Sequence, residues 1–276
     1  MSYKKIHLHL AVQPTPTPTG AIDYACAIAQ AFEAKLGVSS PRLKISMPSH
    51  WLARGLMAGM AREIESAATA RGLALEAHLT QKKASVPVQL TQVVMQWPYA
   101  RVDSNWYGRT SDLCVLGLPR DNPEQRFEVE EWLFGVGRPC LLYPEDSLHV
   151  FSLDTVVIGW DFSKSASRAI GDAIPILRRA KQVRAMVVRG EKDIPQPDVA
   201  TPLIEFLAAH GIACSISEYD IEERTVGQAI LDQATRLSAS LVVLGAFGRS
   251  RLKEFLLGGA TKGVLDASRI PLFMSH

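Results

Sequence analysis

The chain has 276 residues, of which 47% are hydrophobic and 21% are charged, and its formal net charge is +2 at pH 7. This length is enough for two ordinary domains, and the composition is that of a globular protein, which excludes a disordered tail and a fibre. A pI near 8.3 without a cluster of basic residues argues against nucleic-acid binding.

The first half of the chain predicts alternating strands and helices. Residues 6–12 are an apolar run typical of a strand, and residues 20–36 have the spacing of a helix. Residues 46–72 form a long helical pattern, in which Met57 and Met60 fit a core face better than a groove for a partner. Further strand-like or helical segments follow at 112–117, 128–135 and 138–143.

The second half begins with an apolar strand at residues 155–160, which leads to Asp161 and Ser163. Residues 166–180 follow with apolar residues at helical spacing, so this strand, turn and helix predict the start of a βαβ unit. Residues 240–244 are short, apolar and β-branched, which is typical of a strand buried on both faces of a parallel sheet.

The two halves are similar in the order of their segments. Residues 112–117 match 240–245, and the helical and strand segments that follow each of them also match. The chain therefore predicts a diverged tandem repeat with a boundary near residues 144–153, which gives domains at 1–147 and 148–276.

The last strand of each repeat predicts a specific contact. Residues 140–143 and 271–274 are both apolar runs. Because an unpaired apolar edge attracts another strand, we expect these two segments to pair with each other.

Three glycines follow residues 240–244 in the spacing Gly-x2-Gly-x9-Gly, namely Gly245, Gly248 and Gly258. They begin at the carboxyl end of a predicted strand, which is the edge where open α/β sheets bind ligands. Glycine lets the backbone take positive φ and approach an anion closely, and residues 250–257 have a helical pattern that offers an amino end. The spacing therefore indicates a phosphate site.

Several motifs occur together between residues 154 and 276. They are the Asp-Phe-Ser turn at Asp161, the strand that ends at Val188, the glycine signature and the closing strand at residues 270–273. In this order they closely resemble the universal stress protein family. The resemblance implies an adenine nucleotide alpha hydrolase-like α/β fold, with two tandem doubly wound domains. Each would be a five-stranded, mainly parallel sheet with helices on both faces.

The resemblance also implies a nucleotide site at the carboxyl edge of the C-terminal sheet, with ATP and Mg²⁺ as the expected ligands. Asp161 and Val188 would flank the adenosine. The phosphate loop would consist of Gly245, Gly248, Arg249, Gly258, Gly259 and Ala260. In this hypothesis, backbone N–H groups hold the β- and γ-phosphates at a helix start while Arg249 offsets their charge.

One position departs from the family pattern. Gly259 stands where nucleotide-binding members have Ser or Thr, so a hydroxyl donor to the phosphates is absent there. The loss of one neutral hydrogen bond typically costs about 0.5 to 1.5 kcal/mol, which weakens binding without abolishing it.

The N-terminal repeat lacks the corresponding motifs. An alternating Pro-Thr segment at residues 13–20 replaces the Asp-Phe-Ser turn, and alternating prolines favour an extended loop with few backbone donors. No second glycine follows Gly117 at the required spacing. We therefore expect a structural partner domain that completes an internal pseudo-dimer.

Other classes of chemistry lack their required residues. The chain has no Gly-x-Ser-x-Gly elbow and no Walker A motif, and it offers no persuasive set of metal ligands, so we expect no catalytic residue and no metal site. Four dispersed cysteines fit buried thiols in a reducing compartment: Cys26, Cys114, Cys140 and Cys214. Without a signal peptide or a membrane-length apolar stretch, we expect a cytoplasmic protein that does not enter a membrane.

Two main functions remain compatible with these patterns. In the first, the protein is a stress-response regulator that binds an adenine nucleotide, and binding alters the surface of a homodimer or of a protein partner. In the second, it is a nucleotide-free scaffold that acts through domain pairing and protein contacts. Asp161, Arg249 and the intact glycines favour the regulator, whereas Gly259 and the degenerate N-terminal repeat favour the scaffold. A slow ATP hydrolase is a third hypothesis.

Overall fold

The computed structural model describes residues 2–46, 51–82, 85–97, 104–190, 198, 200–221, 223–246 and 259–276. The chain divides into two compact units. The N-terminal unit comprises Tyr3–Val136, and the C-terminal unit consists chiefly of Gly137–His276. The domain ranges 1–147 and 148–276, which follow the sequence repeat, stay a prediction.

The N-terminal unit is a parallel sheet flanked by helices. Its elements are β1 (Lys5–His9), α1 (Thr19–Phe32), β2 (Lys35–Ile45), α2 (Trp51–Lys82), β3 (Val88–Trp97), a 3-10 helix (Ser104–Thr110), β4 (Leu113–Leu118) and α3 (Pro123–Gly135). The strands lie in the order β3-β2-β1-β4, and every one of these pairs is parallel.

The C-terminal unit has the same architecture with one antiparallel strand. Its elements are β5 (Cys140–Pro144), β6 (Thr155–Gly159), α4 (Lys164–Leu177), β7 (Gln182–Arg189), α5 (Thr201–Ala209), β8 (Cys214–Asp220), α6 (Val226–Arg236), β9 (Leu241–Gly245), α7 (Gly259–Ala267) and β10 (Leu272–Ser275). The strand order is β5-β10-β9-β6-β7-β8, and only the β5–β10 pair is antiparallel among these strands.

The central strands of the C-terminal unit are apolar because both of their faces are covered. Val156, Val157 and Ile158 of β6 and Leu241 of β9 have no exposed surface. Helix α4 packs against β9 and β10, while α6 packs against β7 and α7. The α/β class predicted from the sequence, with its largely parallel sheet, is confirmed.

The predicted pairing of the last strands is also confirmed. Leu272 of β10 lies opposite Leu142 of β5, and Met274 lies opposite Cys140. All five residues of β5 and all four of β10 are buried. The pairing therefore removes two apolar strand edges from solvent.

The predicted first helix extended too far. Residues 20–36 were expected to be helical, but α1 ends at Phe32 and β2 begins at Lys35. Glu33 adopts a left-handed conformation with φ 52°, and its N–H bonds to the carbonyl groups of Ala29 and Gln30. This C-cap ends the helix, and the apolar pattern continues into a strand.

The interpretation of the methionines in α2 as core residues was wrong. Met60 is 67% exposed and Met57 is 39% exposed. The face of α2 that packs on the sheet consists instead of small and aliphatic residues, namely Ala61, Ala68, Leu75 and Leu79, each at most 4% exposed. Among the described helices, none is both long and apolar enough to cross a bilayer.

Candidate functional site

The strand order of the C-terminal unit creates a crevice at the carboxyl ends of β6 and β9. Strand β6 lies between β7 and β9. From β6 the chain continues to β7 and β8 on one side, and then crosses back to β9 and β10 on the other. Ligands bind at such a reversal of strand order in open α/β sheets, so this edge is the candidate site.

Asp161 lies two residues after the end of β6, in the turn that leads into α4. Its Oδ1 accepts a hydrogen bond from the backbone N–H of Ser163 at 3.0 Å, and its side chain is exposed. Phe162, between them, has φ 59°, which residues other than glycine rarely adopt. Ser163 Oγ then accepts the N–H of Ala166 at 3.1 Å and caps α4. The turn therefore holds an exposed carboxylate at the crevice.

Val188 lies at the same edge, near the end of β7. Gly159 of β6 pairs with Met186 of β7, and Asp161 and Val188 follow these two residues at equal spacing. Val188 is half-buried and pairs with Tyr219 of β8. The structure thus places Asp161 and Val188 at the same edge of the sheet, where the sequence predicted both.

Gly245, at the end of β9, is a glycine for a reason that the sequence did not reveal. A Cβ atom built on it would lie 2.3 Å from the backbone N of Ala166 and 2.5 Å from the carbonyl C of Ser165. Its φ lies outside the left-handed region. The glycine therefore allows β9 to pass close to the first turn of α4, and positive φ is not needed here.

The phosphate-loop residues divide between described and undescribed parts of the chain. Gly248, Arg249 and Gly258 lie outside the described residues. Helix α7 begins at Gly259 and Ala260, and its first turn contains no acidic residue. The backbone N–H groups at a helix start have no partner within the helix and favour anions, so the start of α7 suits a phosphate.

The side chains of Trp160 and Phe162 flank Asp161, and the sequence analysis assigned them no role. Trp160 is 9% exposed, and its ring centroid lies 5.2 Å from that of Phe162 at an interplanar angle of 55°. The signal in the sequence was the Trp-Asp-Phe triplet itself, in which the acidic residue of the turn stands between two large rings.

Residues 152–276 match the model of the Universal stress protein family. This range contains Asp161, Val188 and the complete Gly-x2-Gly-x9-Gly motif. The C-terminal unit belongs to the universal stress protein family. Universal stress proteins are stress-response proteins, some of which bind ATP, and many form dimers.

Solved structures extend the likeness to the whole chain at the level of fold. A universal stress protein from Archaeoglobus fulgidus DSM 4304 superposes with a TM-score of 0.68 at 17% identity, covering 98% of this chain and 97% of its own. A protein of unknown function from Pseudomonas aeruginosa PAO1 gives 0.59 at 15% identity, covering 99% and 92%.

A third structure, of a putative universal stress protein from Pseudomonas aeruginosa UCBPP-PA14, gives a TM-score of 0.56 at 15% identity, covering 99% of this chain and 93% of its own. A comparison with curated protein sequences gives no match. The N-terminal unit lies outside the family match, so its likeness to universal stress proteins is one of fold.

In the N-terminal unit, the loop after β1 lies at the carboxyl ends of the strands. This edge of the sheet corresponds to the candidate site of the C-terminal unit. Gln125 of α3 donates its Nε2 to the carbonyl of Gln13 at 2.9 Å, and Arg71 of α2 donates Nη1 to the carbonyl of Pro14 at 2.9 Å. Gly117, at the end of β4, lies against the same loop, since its Cβ would be 3.1 Å from Pro18 Cδ. This edge is therefore filled by the chain itself.

The N-terminal unit also buries a chain of polar side chains. His7 Nε2 and His9 Nδ1 each lie 3.0 Å from Ser39 Oγ, and His9 Nε2 lies 2.9 Å from Glu128 Oε1. Trp132 covers both imidazoles, with ring centroids 5.6 and 4.8 Å away. Ser39 has no exposed surface, so its hydroxyl has no access to a substrate despite the resemblance to a Ser-His-Glu set.

Proposed function

We propose that the C-terminal unit binds an adenine nucleotide, with ATP and Mg²⁺ as the candidates, and that binding makes the protein a stress-response regulator. The observation that carries the proposal is the arrangement at the crevice. An exposed carboxylate at Asp161, the half-buried Val188 and the first turn of α7 belong to neighbouring strands and connections of one sheet edge.

The chemistry of this edge suits a nucleotide. The start of α7 supplies backbone N–H donors at Gly259 and Ala260, and Lys262 adds an exposed cation in the same helix. Thr261, two residues after Gly259, is 8% exposed and belongs to the core. The proposal therefore relies on backbone donors for the phosphates, because Gly259 has no hydroxyl.

The second candidate function is a nucleotide-free scaffold. Gly259 favours it, because it removes the side-chain donor at the position where nucleotide-binding family members have Ser or Thr. In this alternative the glycine-rich segment serves only to pack the sheet against its helices, as Gly245 already does against α4. A slow ATP hydrolase would first require the nucleotide site of the main proposal.

The test is isothermal titration calorimetry of the nucleotide-stripped full chain with ATP and Mg²⁺. Saturable binding near one ATP per chain in the wild type supports the proposal. Gly248→Val should then abolish the binding, because its side chain would block the close approach of the backbone to the phosphates. Gly245 is unsuitable for this test, because any side chain there would clash with α4.

Gly171→Val is the matched control for Gly248→Val. Gly171 is exposed on α4, and a Cβ built on it meets no atom within 4 Å. Full ATP affinity in a folded Gly248→Val protein would refute the phosphate loop. Absence of ATP binding in folded wild-type protein, with no nucleotide released on acid denaturation, would favour the scaffold.

A further inference from the structure

The N-terminal unit contains a groove that is separate from the candidate nucleotide site. Strand β2 continues beyond β1, because the last β1–β2 pair is His9 with Ser39 while β2 runs to Ile45. This extension pairs only with β3 among the described strands, and α2 lies alongside it. An open groove of about 590 Å³ separates the extension from α2, and we call it the α2–β2 groove.

Two polar contacts hold the walls of the α2–β2 groove together. Arg42 Nη2 of β2 lies 2.7 Å from Glu76 Oε1 of α2, and these side chains are only 17% and 13% exposed. The backbone N–H of Ile45 donates to Glu65 Oε1 at 2.6 Å. Since these contacts connect β2 to two positions three turns apart on α2, the spacing between the walls is set by the fold.

Gly72 lies directly beside the first of these contacts. A Cβ atom built on Gly72 would lie 2.8 Å from Arg42 Nη1. That same nitrogen donates to Ser40 Oγ at 3.2 Å. The guanidinium of Arg42 therefore lies across the surface of α2, close against Gly72.

The polar groups of the α2–β2 groove are mostly donors. Lys44 and Arg62 line it, are exposed and form no ion pair within the described part of the chain. The hydroxyl groups of Ser66 and Thr69 also line it. Its one carboxylate, that of Glu65, is already engaged by a backbone N–H. Arg62 donates Nε to the carbonyl of Ala58 at 3.1 Å, a neutral partner that does not compensate its charge. Cations and hydroxyls of this kind suit an anionic group such as a phosphate or a carboxylate.

The remaining lining of the α2–β2 groove is apolar. Leu43 contributes from β2, and Ala70 and Leu73 contribute from α2. Leu73 is 55% exposed, so it offers surface that a ligand could cover. The volume lies within the roughly 300 to 1,000 Å³ that is usual for small-molecule sites, which combine apolar walls with a few polar groups.

We propose that the α2–β2 groove binds a small amphipathic anion, whose phosphate or carboxylate contacts Lys44 and Arg62 and whose apolar part lies on Leu43, Ala70 and Leu73. The groove lies in the N-terminal unit and uses none of the residues of the candidate nucleotide site. The protein thus has a second ligand site, which depends neither on the glycine motif nor on a nucleotide base.

The test is isothermal titration calorimetry of the full chain with octyl phosphate, octanoate, octanol and inorganic phosphate, each below its aggregation concentration. We expect saturable binding near one per chain for octyl phosphate, octanoate or both, and the stronger of the two identifies the head group. Octanol and inorganic phosphate should bind at least about tenfold more weakly, because each lacks one of the two contacts.

Three variants locate the binding. Lys44→Gln combined with Arg62→Gln should weaken it by about tenfold or more, because two charge-assisted contacts are lost. Ala70→Trp should weaken it as strongly, because the indole fills the groove while every charge stays. Lys35→Gln is the matched control, since Lys35 is exposed at the opposite end of the same strand and should leave affinity unchanged.

The proposal fails if neither octyl phosphate nor octanoate binds saturably to folded wild-type protein. It also fails if Ala70→Trp and the double variant bind as well as the wild type, or if Lys35→Gln weakens binding as much as they do. Circular dichroism of each variant verifies that it is folded. The affinity for ATP, measured separately, should be the same in the double variant and in the wild type.

Discussion

Gly245 and Ala166 lie so close together that a Cβ atom on the glycine would stand 2.3 Å from the backbone N of the alanine. The contact joins the end of β9 to the first turn of α4, two elements that are far apart in the sequence but adjacent in the sheet. In the N-terminal unit, Gly117 at the end of β4 takes the same place against Pro18, at a looser 3.1 Å. In each unit a glycine at or next to the end of this strand thus packs at the start of the first helix, against Ser165 and Ala166 of α4 or against Pro18, the N-cap residue of α1.

Gly245→Ala is therefore expected to destabilise the C-terminal unit. The new methyl group overlaps backbone atoms of Ser165 and Ala166, which cannot move without displacing α4. Overpacking of this kind typically costs about 1–3 kcal/mol. Urea unfolding measures the loss. Gly171→Ala is the control and should slightly increase the stability of the C-terminal unit, because the site is open and alanine favours a helix. Equal stability of Gly245→Ala and wild type would contradict the packing role.

His7 should make the stability of the N-terminal unit depend on pH. Burial, followed by the positive charges of His9 and Lys5, lowers the pKa of His7 from 6.5 to about 3. Below pH 6.5, His7 therefore binds a proton in the unfolded state but not in the folded state. As a result, the free energy of unfolding falls as pH decreases from 6.5 towards 3. Between pH 6.5 and 5 the expected loss from this group is about 2 kcal/mol.

The measurement is urea unfolding at pH 7.5, 6.5 and 5. His7→Gln keeps a polar partner for Ser39 but does not titrate, so its stability should fall less towards pH 5. His149 is the necessary control, because burial lowers its pKa too and His149→Gln removes that second contribution. An identical pH dependence in His7→Gln and wild type would contradict the assignment.

Thr225→Ala should weaken the start of α6. Thr225 Oγ1 accepts the N–H of Gln228 at 3.2 Å, and Gln228 Oε1 accepts the N–H of Thr225 at 2.9 Å, which makes a capping box. Loss of such a cap typically costs about 0.5–2 kcal/mol. Thr235→Ala on the same helix is the matched control, because the hydroxyl of Thr235 donates to the carbonyl of Leu231 within the helix and caps neither end. If thermal unfolding shows the same decrease in melting temperature for both variants, the stabilising role of the cap is contradicted.

Glu76→Gln should destabilise the N-terminal unit by leaving Arg42 without its charge partner. Both side chains are largely buried, so the cost is expected to be about 1–3 kcal/mol in urea unfolding. Asp154→Asn breaks the ion pair with Lys181, in which both side chains are more than half exposed, and should cause no measurable change. The prediction is wrong if the two substitutions have the same effect.

Local patterns in the sequence were sufficient for much of the fold. Continuous apolar β-branched runs predicted β6 and β9, because strands buried on both faces need such residues. Apolar spacing predicted α4, and the apolar run at β5 predicted its pairing with β10. The edge of the sheet that holds Asp161 and Val188 also followed from the sequence, because both residues end predicted strands.

Two predictions from local sequence patterns were wrong, namely the end of α1 and the burial of the methionines in α2. The apolar pattern after α1 ran through Leu36, but Glu33 turns into the left-handed conformation and the strand begins two residues later at Lys35. Likewise, Met57 and Met60 match a core stripe by composition, yet α2 turns them to solvent. The first case is decided locally by the C-cap at Glu33, whereas the second depends on which face of α2 meets the sheet, and residues distant in sequence decide this.

The sequence by itself determined the family of the C-terminal unit, its α/β class and the edge at which a ligand is expected. Only the tertiary structure showed why Gly245 must be a glycine, that Ser39 and its histidines are buried, and that Arg42 reaches Glu76 to form the α2–β2 groove. The physical reason is the same throughout. Strand and helix patterns arise from neighbouring residues, whereas close approaches, burial of polar groups and grooves arise from residues that meet only after the chain has folded.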